Sequence, residues 1–451
     1  MKIIKCLCSF VLLWMLAAGT VLHAQSYDRL WAQVEQAQEK SLPKTVIELT
    51  DRIYRKGLEE HNAAQMLKAY VCRAVNQEEL TPDSLYSRLP RLEQWAQSEN
   101  DAVTRAILYS LLADEYAAFA RRNRSELLSR TDVDSDDLSG DIRLWTSRQL
   151  VRKVDACCTE ALRDSVVLLD ASAEGYVPFI ELEDGSRFYA HDLYHLLSTR
   201  AIEAYQALTS YDEALVQERV ERIYTNQINA YKQRPGREDA LLLSVLSFWQ
   251  NDHSRFRYYP SPERSGAAYL AVLDSLIERY GDRPVCAEVY LAKAEWLNSQ
   301  TPRRAAQALQ VCEEGIRRYA SYERINELRN LKKRITQPNL SVTTKSVAYP
   351  GDSLALNVHY RNQKGFTLNL YRTDLRENLL ASVGIDRKFL QQHARRVQSR
   401  HFDLALLPQK DVLPEDLPYV GLDTVFSLPM PDDYGLYVLQ VVPDDKRGQS
   451  D

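Results

Sequence analysis

The chain has 451 residues, 45% of them hydrophobic and 26% charged, with 57 basic residues against 62 acidic ones and a net charge of −5. That length exceeds what one hydrophobic core serves, so two or three domains are expected. The composition is ordinary for a globular protein, and a mildly acidic chain with no basic run interleaved with stacking aromatics argues against nucleic acid as a partner.

At the N-terminus Lys2 and Lys5 precede the apolar run Phe10 to Ala18, and Leu22-His23-Ala24 ends in a small residue before Gln25. This reads as a secretory signal peptide over residues 1–24, cleaved between Ala24 and Gln25, with an apolar core too short to span a bilayer. No later stretch is long and apolar enough for a membrane span. The expected location is therefore the periplasm or cell envelope. Beyond the leader stand Cys72, Cys157, Cys158, Cys286 and Cys312, an odd number too sparse for a disulfide framework. Buried free thiols are expected, with one bridge between Cys286 and Cys312 as the alternative.

Ser26 is a candidate N-cap for a first helix carrying Leu30, Val34 and Ala37. Further helices are predicted from Pro43, from about Ala63, from near Pro82 and from Asp101. Met66, Leu67, Tyr70 and Val71 of the third fall on one helical face, and short connections predict packing as antiparallel hairpins. Ser125 to Gly140 reads as an acidic loop, Trp145 to Asp170 as one helix, and Gly175 to Phe188 as a break. Helices resume over Ala190–Leu208, Asp212–Gln233, Asp239–Trp249 and Gly266–Tyr280. Pro284–Ser299 and Pro302–Tyr319 form the clearest hairpin, with Ala292, Ala294, Ala306 and Ala308 small enough for close approach. That hairpin resembles a tetratricopeptide (TPR) repeat with several marker positions off, and residues 25–337 read as an irregular all-α helical-repeat domain.

Thr336 to Tyr360 changes the pattern. Pro338 stops the last helix, Pro350-Gly351-Asp352 reads as a turn, and Leu354, Leu356, Val358 and Tyr360 alternate as one face of a strand. Strands are predicted over Ser341–Ala348, Leu354–Tyr360, Phe366–Arg372, His401–Leu407 and Tyr434–Val442, with Asp386 to Arg396 a short helix or an excursion. Residues 338–451 thus read as an antiparallel β-sandwich.

The stretches SYDRLWAQVEQAQEKSLPKTVIELTDRIY, AAQMLKAYVCRA and LTPDSLYSRLPRLEQWAQ resemble the N-terminus of bacterial alpha-2-macroglobulin family proteins. DLYHLLSTRAI and SVAYPGDSLALNVHYRNQKGFTLNLYRT, closing with YGLYVLQVVP, are similar to that family's next part, a macroglobulin-like sandwich. The resemblance implies an exported endopeptidase inhibitor or envelope defence protein. Members of the family are longer and carry a bait segment and often a thioester domain with a Cys-x-Glu-Gln motif. Here the nearest match, Cys312-Glu313-Glu314, lacks the glutamine, so the chain is expected to hold the amino-terminal part alone.

Candidate chemistry is sparse. His191 and His195 stand at i and i+4, a spacing used by zinc-binding helices, with His253 or Glu181 as a third ligand from afar. Asp192 stands where metallopeptidases carry Glu, and two histidines packing at a helix start beside Phe188 and Tyr189 is the simpler reading. Asp132 to Asp136 mimics the start of a calcium loop but has Asp137 and Arg143 where glycine and glutamate belong. Cys157-Cys158 lies along the apolar stripe of Val154, Ala161 and Leu162. With no phosphate loop and no Gly-x-Ser-x-Gly elbow, the expected protein is not an enzyme, takes no cofactor, and works through contacts with other proteins. The alternative is a stand-alone periplasmic helical-repeat binding module.

Overall fold

A computed structural model describes residues 27–131, 141–181, 192–256, 265–373, 385 and 387–445. The leader with its Ala24–Gln25 cleavage site, the Asp132–Asp136 segment and His191 lie outside them. The chain divides into two compact units between Ser244 and Val245.

Among its described residues unit one is built of helices. Residues 27–39 form α1, followed by α2 (Pro43–Glu59), α3 (Ala63–Leu80), α4 (Ser84–Ser98), α5 (Ala102–Arg122), α6 (Arg124–Ser129), α7 (Ser147–Ala161), α8 (Ser165–Asp170), α9 (Leu193–Gln206) and α10 (Glu213–Lys232). Local chemistry fixes the starts. Pro43 occupies the first turn of α2, where its missing N–H costs nothing. Asn62, Asp101, Thr146 and Asp212 each accept a first-turn amide with the side chain, and Thr146 with Gln149 completes a capping box. Val46, Leu49 and Ile53 of α2 meet Val34, Ala37 and Ala69 in one cluster. Gly57 lets α2 approach α3, since a Cβ there would lie 2.8 Å from Met66 Cγ. Helix α5 buries residues around its whole circumference, from Val103 to Ala120, and packs on α4, α7 and α9, which makes it the centre of the unit.

The single helix predicted over Trp145–Asp170 is two. The backbone N–H groups of Leu162 and Arg163 turn back to donate to nearby carbonyls, Leu162 to Cys158 O at 3.2 Å and Arg163 to Glu160 O at 3.3 Å, and this tightened turn ends α7 before α8 begins. Helix α11 (Glu238–Phe256) carries the unit boundary.

Among the described residues unit two continues after α11 with α12 (Gly266–Tyr280), α13 (Ala287–Ser299), α14 (Ala305–Arg318), α15 (Asn326–Thr336), β1 (Asn339–Thr344), β2 (Ser353–Arg361), β3 (Gly365–Thr373), a short α16 (Arg387–His393), β4 (Ala394–Asp403), β5 (Leu422–Pro429) and β6 (Leu436–Pro443). Ala292, Ala294 and Ala308 are buried in the α13–α14 hairpin, and Gly315 admits Leu328 and Tyr290, whose atoms would stand 2.9 and 3.0 Å from a Cβ. The strands make two antiparallel three-stranded sheets, ordered β1-β2-β5 and β4-β3-β6. The α-then-β order is the one read from the sequence.

Strand β2 alternates exposed and buried along its length, as expected from Leu354, Leu356, Val358 and Tyr360. These side chains, with Phe366 and Leu368 of β3, Phe402 of β4 and Leu422 and Leu428 of β5, form one cluster shared by both sheets. Phe366 stacks on Phe402 at 5.1 Å. Three expected strands shift: β1 ends at Thr344, β4 begins at Ala394 rather than His401, and β6 starts at Leu436. Strand β5 is absent from the sequence expectation.

Candidate functional site

The expected metal site rests on His191 and His195. His191 lies outside the described residues, and His195 is half-buried in the first turn of α9. Asp192 between them is 1% exposed and acts as the helix N-cap, accepting the His195 backbone N–H at 2.8 Å. Tyr231 Oη donates to both of its oxygens at 3.1 and 3.2 Å, and Arg237 Nη1 stands 3.7 Å away. Burial and the facing Asp192 charge push the Tyr231 hydroxyl up, so it stays a donor. A carboxylate tied down on these sides holds a helix in place and is badly disposed to activate water. Glu181 bonds elsewhere in unit one, 4.0 Å from Lys68 Nζ. Among the described residues no group of three or more His, Cys, Asp or Glu side chains is placed to hold a metal ion.

All five described cysteines are free thiols, four of them buried, so the alternative Cys286–Cys312 bridge is not formed. Burial pushes Cys157 and Cys312 up to about 12 and Cys158 well above its ordinary value. Thiols held protonated this way are poor nucleophiles and act as small apolar side chains.

The concavity of greatest chemical interest in unit one is a groove of about 340 Å³ between α3, α4, α5 and α9. Its centre is Arg88, only 7% exposed. Arg88 Nη1 donates to Ala74 O at 3.1 Å, while Nη2 donates to Glu115 at 2.9 Å and stands 3.6 Å from Glu78. Arg88 Nε and the hydroxyl of neighbouring Tyr70 are both buried without a partner. Burial raises Tyr70 to about 12, which keeps its proton available for donation. Across the groove Arg200 donates to Asp114 at 3.1 Å and to Glu203 at 2.9 Å. Burial pushes the Asp114 carboxyl up, and the Arg200 charge only partly offsets it. The groove is thus a ring of paired charges around an apolar floor of Val71, Leu92 and Leu111, suited to polar contact.

The sequence reading missed this groove. Its one signal is Arg88, which interrupts the apolar stripe Leu85, Leu89, Leu92 of α4 at a spacing that points it into the core.

Unit two has a second concavity of about 610 Å³ at one end of the strands, lined by Tyr360, Arg361, Leu404, Leu406, Tyr419 and Asp444. Tyr360 Oη donates to Ala405 O there, and Arg361 Nη2 donates to Gln337 O at 3.3 Å. No helix among the described residues is long and apolar enough to cross a membrane. No family model matches the chain, and no curated protein or solved structure does either.

Proposed function

We propose that this chain is the exported, non-catalytic amino-terminal segment of an alpha-2-macroglobulin-like endopeptidase inhibitor or envelope defence protein, acting through contacts with other proteins. In this reading the two sheets are a macroglobulin-like antiparallel sandwich, and the helices before them are an irregular TPR-like stack of the cell envelope. The observation that carries it is the pair of three-stranded sheets, β1-β2-β5 and β4-β3-β6, closing on one shared core directly after the helices. The sequence stretches that resemble the family fall on α1 to α4, on α9 and on β2, β3 and β6, so they are spread along the chain rather than confined to one motif.

The second reading, a stand-alone binding module of the periplasm, is favoured by the groove around Arg88, because a polar concavity between packed helices fits a docked polypeptide. Immunoblotting of the native product in the envelope fraction, with an antibody raised against residues 25–338, separates the two. A species several times heavier than the 51.9 kDa of this chain supports the inhibitor segment. A species of that mass or slightly less, as a cleaved leader would leave, supports the stand-alone module.

A further inference from the structure

Arg88 of α4 leaves one of its donors idle. Its Nη1 donates to Ala74 O and its Nη2 to Glu115, but the Nε–H is buried with no acceptor. Tyr70 stands one turn before Ala74 on α3, is 6% exposed, and has a hydroxyl that is also buried without a partner. Burial outweighs the neighbouring Arg88 charge and holds the Tyr70 proton in place, so that hydroxyl is free to donate. Both side chains line the groove between α3, α4, α5 and α9. Buried donors left unpaired are costly and rare, and two of them beside one cavity call for an oxygen from outside the chain.

The charges around the groove are matched in number. Arg88 pairs with Glu115, Arg122 with Glu78 at 3.1 Å, and Arg200 with both Asp114 and Glu203. Arg121, exposed on the rim, forms no ion pair with a described residue, and it brings the arginines level with the acidic groups. A ligand of net charge would upset this balance, whereas one carrying both signs keeps it. The idle donors and Arg121 suit a carboxylate, since bonds from a guanidinium to a charged oxygen are the strong ones. Glu115, half-buried beside Arg88, suits a cation close to that carboxylate. The floor of Val71, Leu92 and Leu111 suits an apolar body, and about 340 Å³ is at the small end of ligand pockets.

We infer that this groove binds a free α-amino acid with an apolar side chain. Its carboxylate accepts from Arg88 Nε and the Tyr70 hydroxyl, its ammonium faces Glu115, and its side chain lies on the apolar floor. This goes beyond both readings given above and rests on neither.

The test is calorimetry of the chain without residues 1–24, with leucine as the probe. One saturable site per chain is expected. N-acetyl-leucine, which lacks the ammonium, and leucinamide, which lacks the carboxylate, should each bind about tenfold more weakly or worse. Tyr70→Phe deletes a hydroxyl that has no partner in the protein, so the melting temperature should hold or rise while leucine binding falls about tenfold. Arg121→Gln, on the exposed rim, should weaken binding about threefold at low salt and less at high salt, and it serves should Tyr70→Phe fold poorly. Three results would overturn the proposal. One is no binding heat at about 10 mM leucine. Another is leucine affinity unchanged in the folded variants. The third is leucine blocked at both ends binding as well as free leucine, which would give the groove to a polypeptide chain instead.

Discussion

Asp416, in the connection between β4 and β5, accepts the backbone N–H of Ala306 at 2.7 Å across 110 residues of sequence. Asp416 is 1% exposed, and α14 has no side-chain cap of its own, because Arg304 stands at the N-cap position. The strand region thus supplies the negative group that the start of a helix requires. Asn362 adds to this, donating from its side chain to Ile335 O at 2.9 Å and Gln337 O at 3.2 Å at the end of α15. Helices and sheets of unit two are joined by specific polar contacts.

Asp416→Ala removes this cap and leaves the amide of half-buried Ala306 without its acceptor, so it should cost about 1–2 kcal/mol. Urea unfolding followed by circular dichroism measures it. Asp416→Asn keeps an acceptor oxygen and should recover most of the loss. Equal stability of wild type and Asp416→Ala would show the contact to be energetically empty.

Asp192 should behave as a structural carboxylate. Asp192→Ala strips α9 of its N-cap and orphans Tyr231, with an expected loss of about 2–4 kcal/mol. Asp192→Asn, also a good cap, should lose less. Zinc titrated by calorimetry into wild type and into His191→Ala should give indistinguishable heats; a binding heat that disappears in the variant would restore the metal reading.

The thiols give a chemical test of burial. A pKa of about 12 leaves Cys157 and Cys312 with about a thousandfold less thiolate at pH 8 than an ordinary cysteine near 9. A thiol reagent at pH 8 should therefore label Cys72 first, since it is the least buried of the five, and the others only after urea is added. Rapid native labelling at Cys157 or Cys158 would contradict the packing of α7.

Acid sensitivity should localise partly to Asp101. Burial pushes its carboxyl up, but bonds from the Thr104 hydroxyl and amide and from Tyr176, with Arg105 nearby, more than offset this and hold it below the ordinary range. A depressed folded pKa means stabilisation that is complete above the unfolded value, near 4, and lost as pH falls through the folded one. The stability difference between wild type and Asp101→Asn should be constant above about pH 5 and shrink below pH 4.

Much of this architecture was legible because periodicity is a local signal. The period-two face of β2 and the apolar stripes of α2 and α3 follow from burial of one side, which leaves its trace residue by residue. Strand β5 was not legible, because its inward positions Leu422, Thr424, Phe426 and Leu428 include a polar residue and it sits among Pro414, Pro418 and Pro429. The start of β4, with Arg395 and Arg396, hides its strand character under the charges that guard its edge. The division of the chain inside α11 was also out of reach, since it depends on contacts such as Asp416 with Ala306 that join residues far apart. The groove around Arg88 shows the same limit: four helices build it, and only one residue marks it in the sequence.

The proposed role in peptidase inhibition through protein contacts can be tested in the native envelope. The most direct measurement adds a broad-specificity peptidase to native envelope extract and follows the antigen recognised by an antibody against residues 25–338 on a native gel. The account predicts that the antigen shifts into a heavier species containing the peptidase, which is blocked when the peptidase is inactivated beforehand. An antigen whose mobility ignores active peptidase, or that is simply degraded, would contradict it.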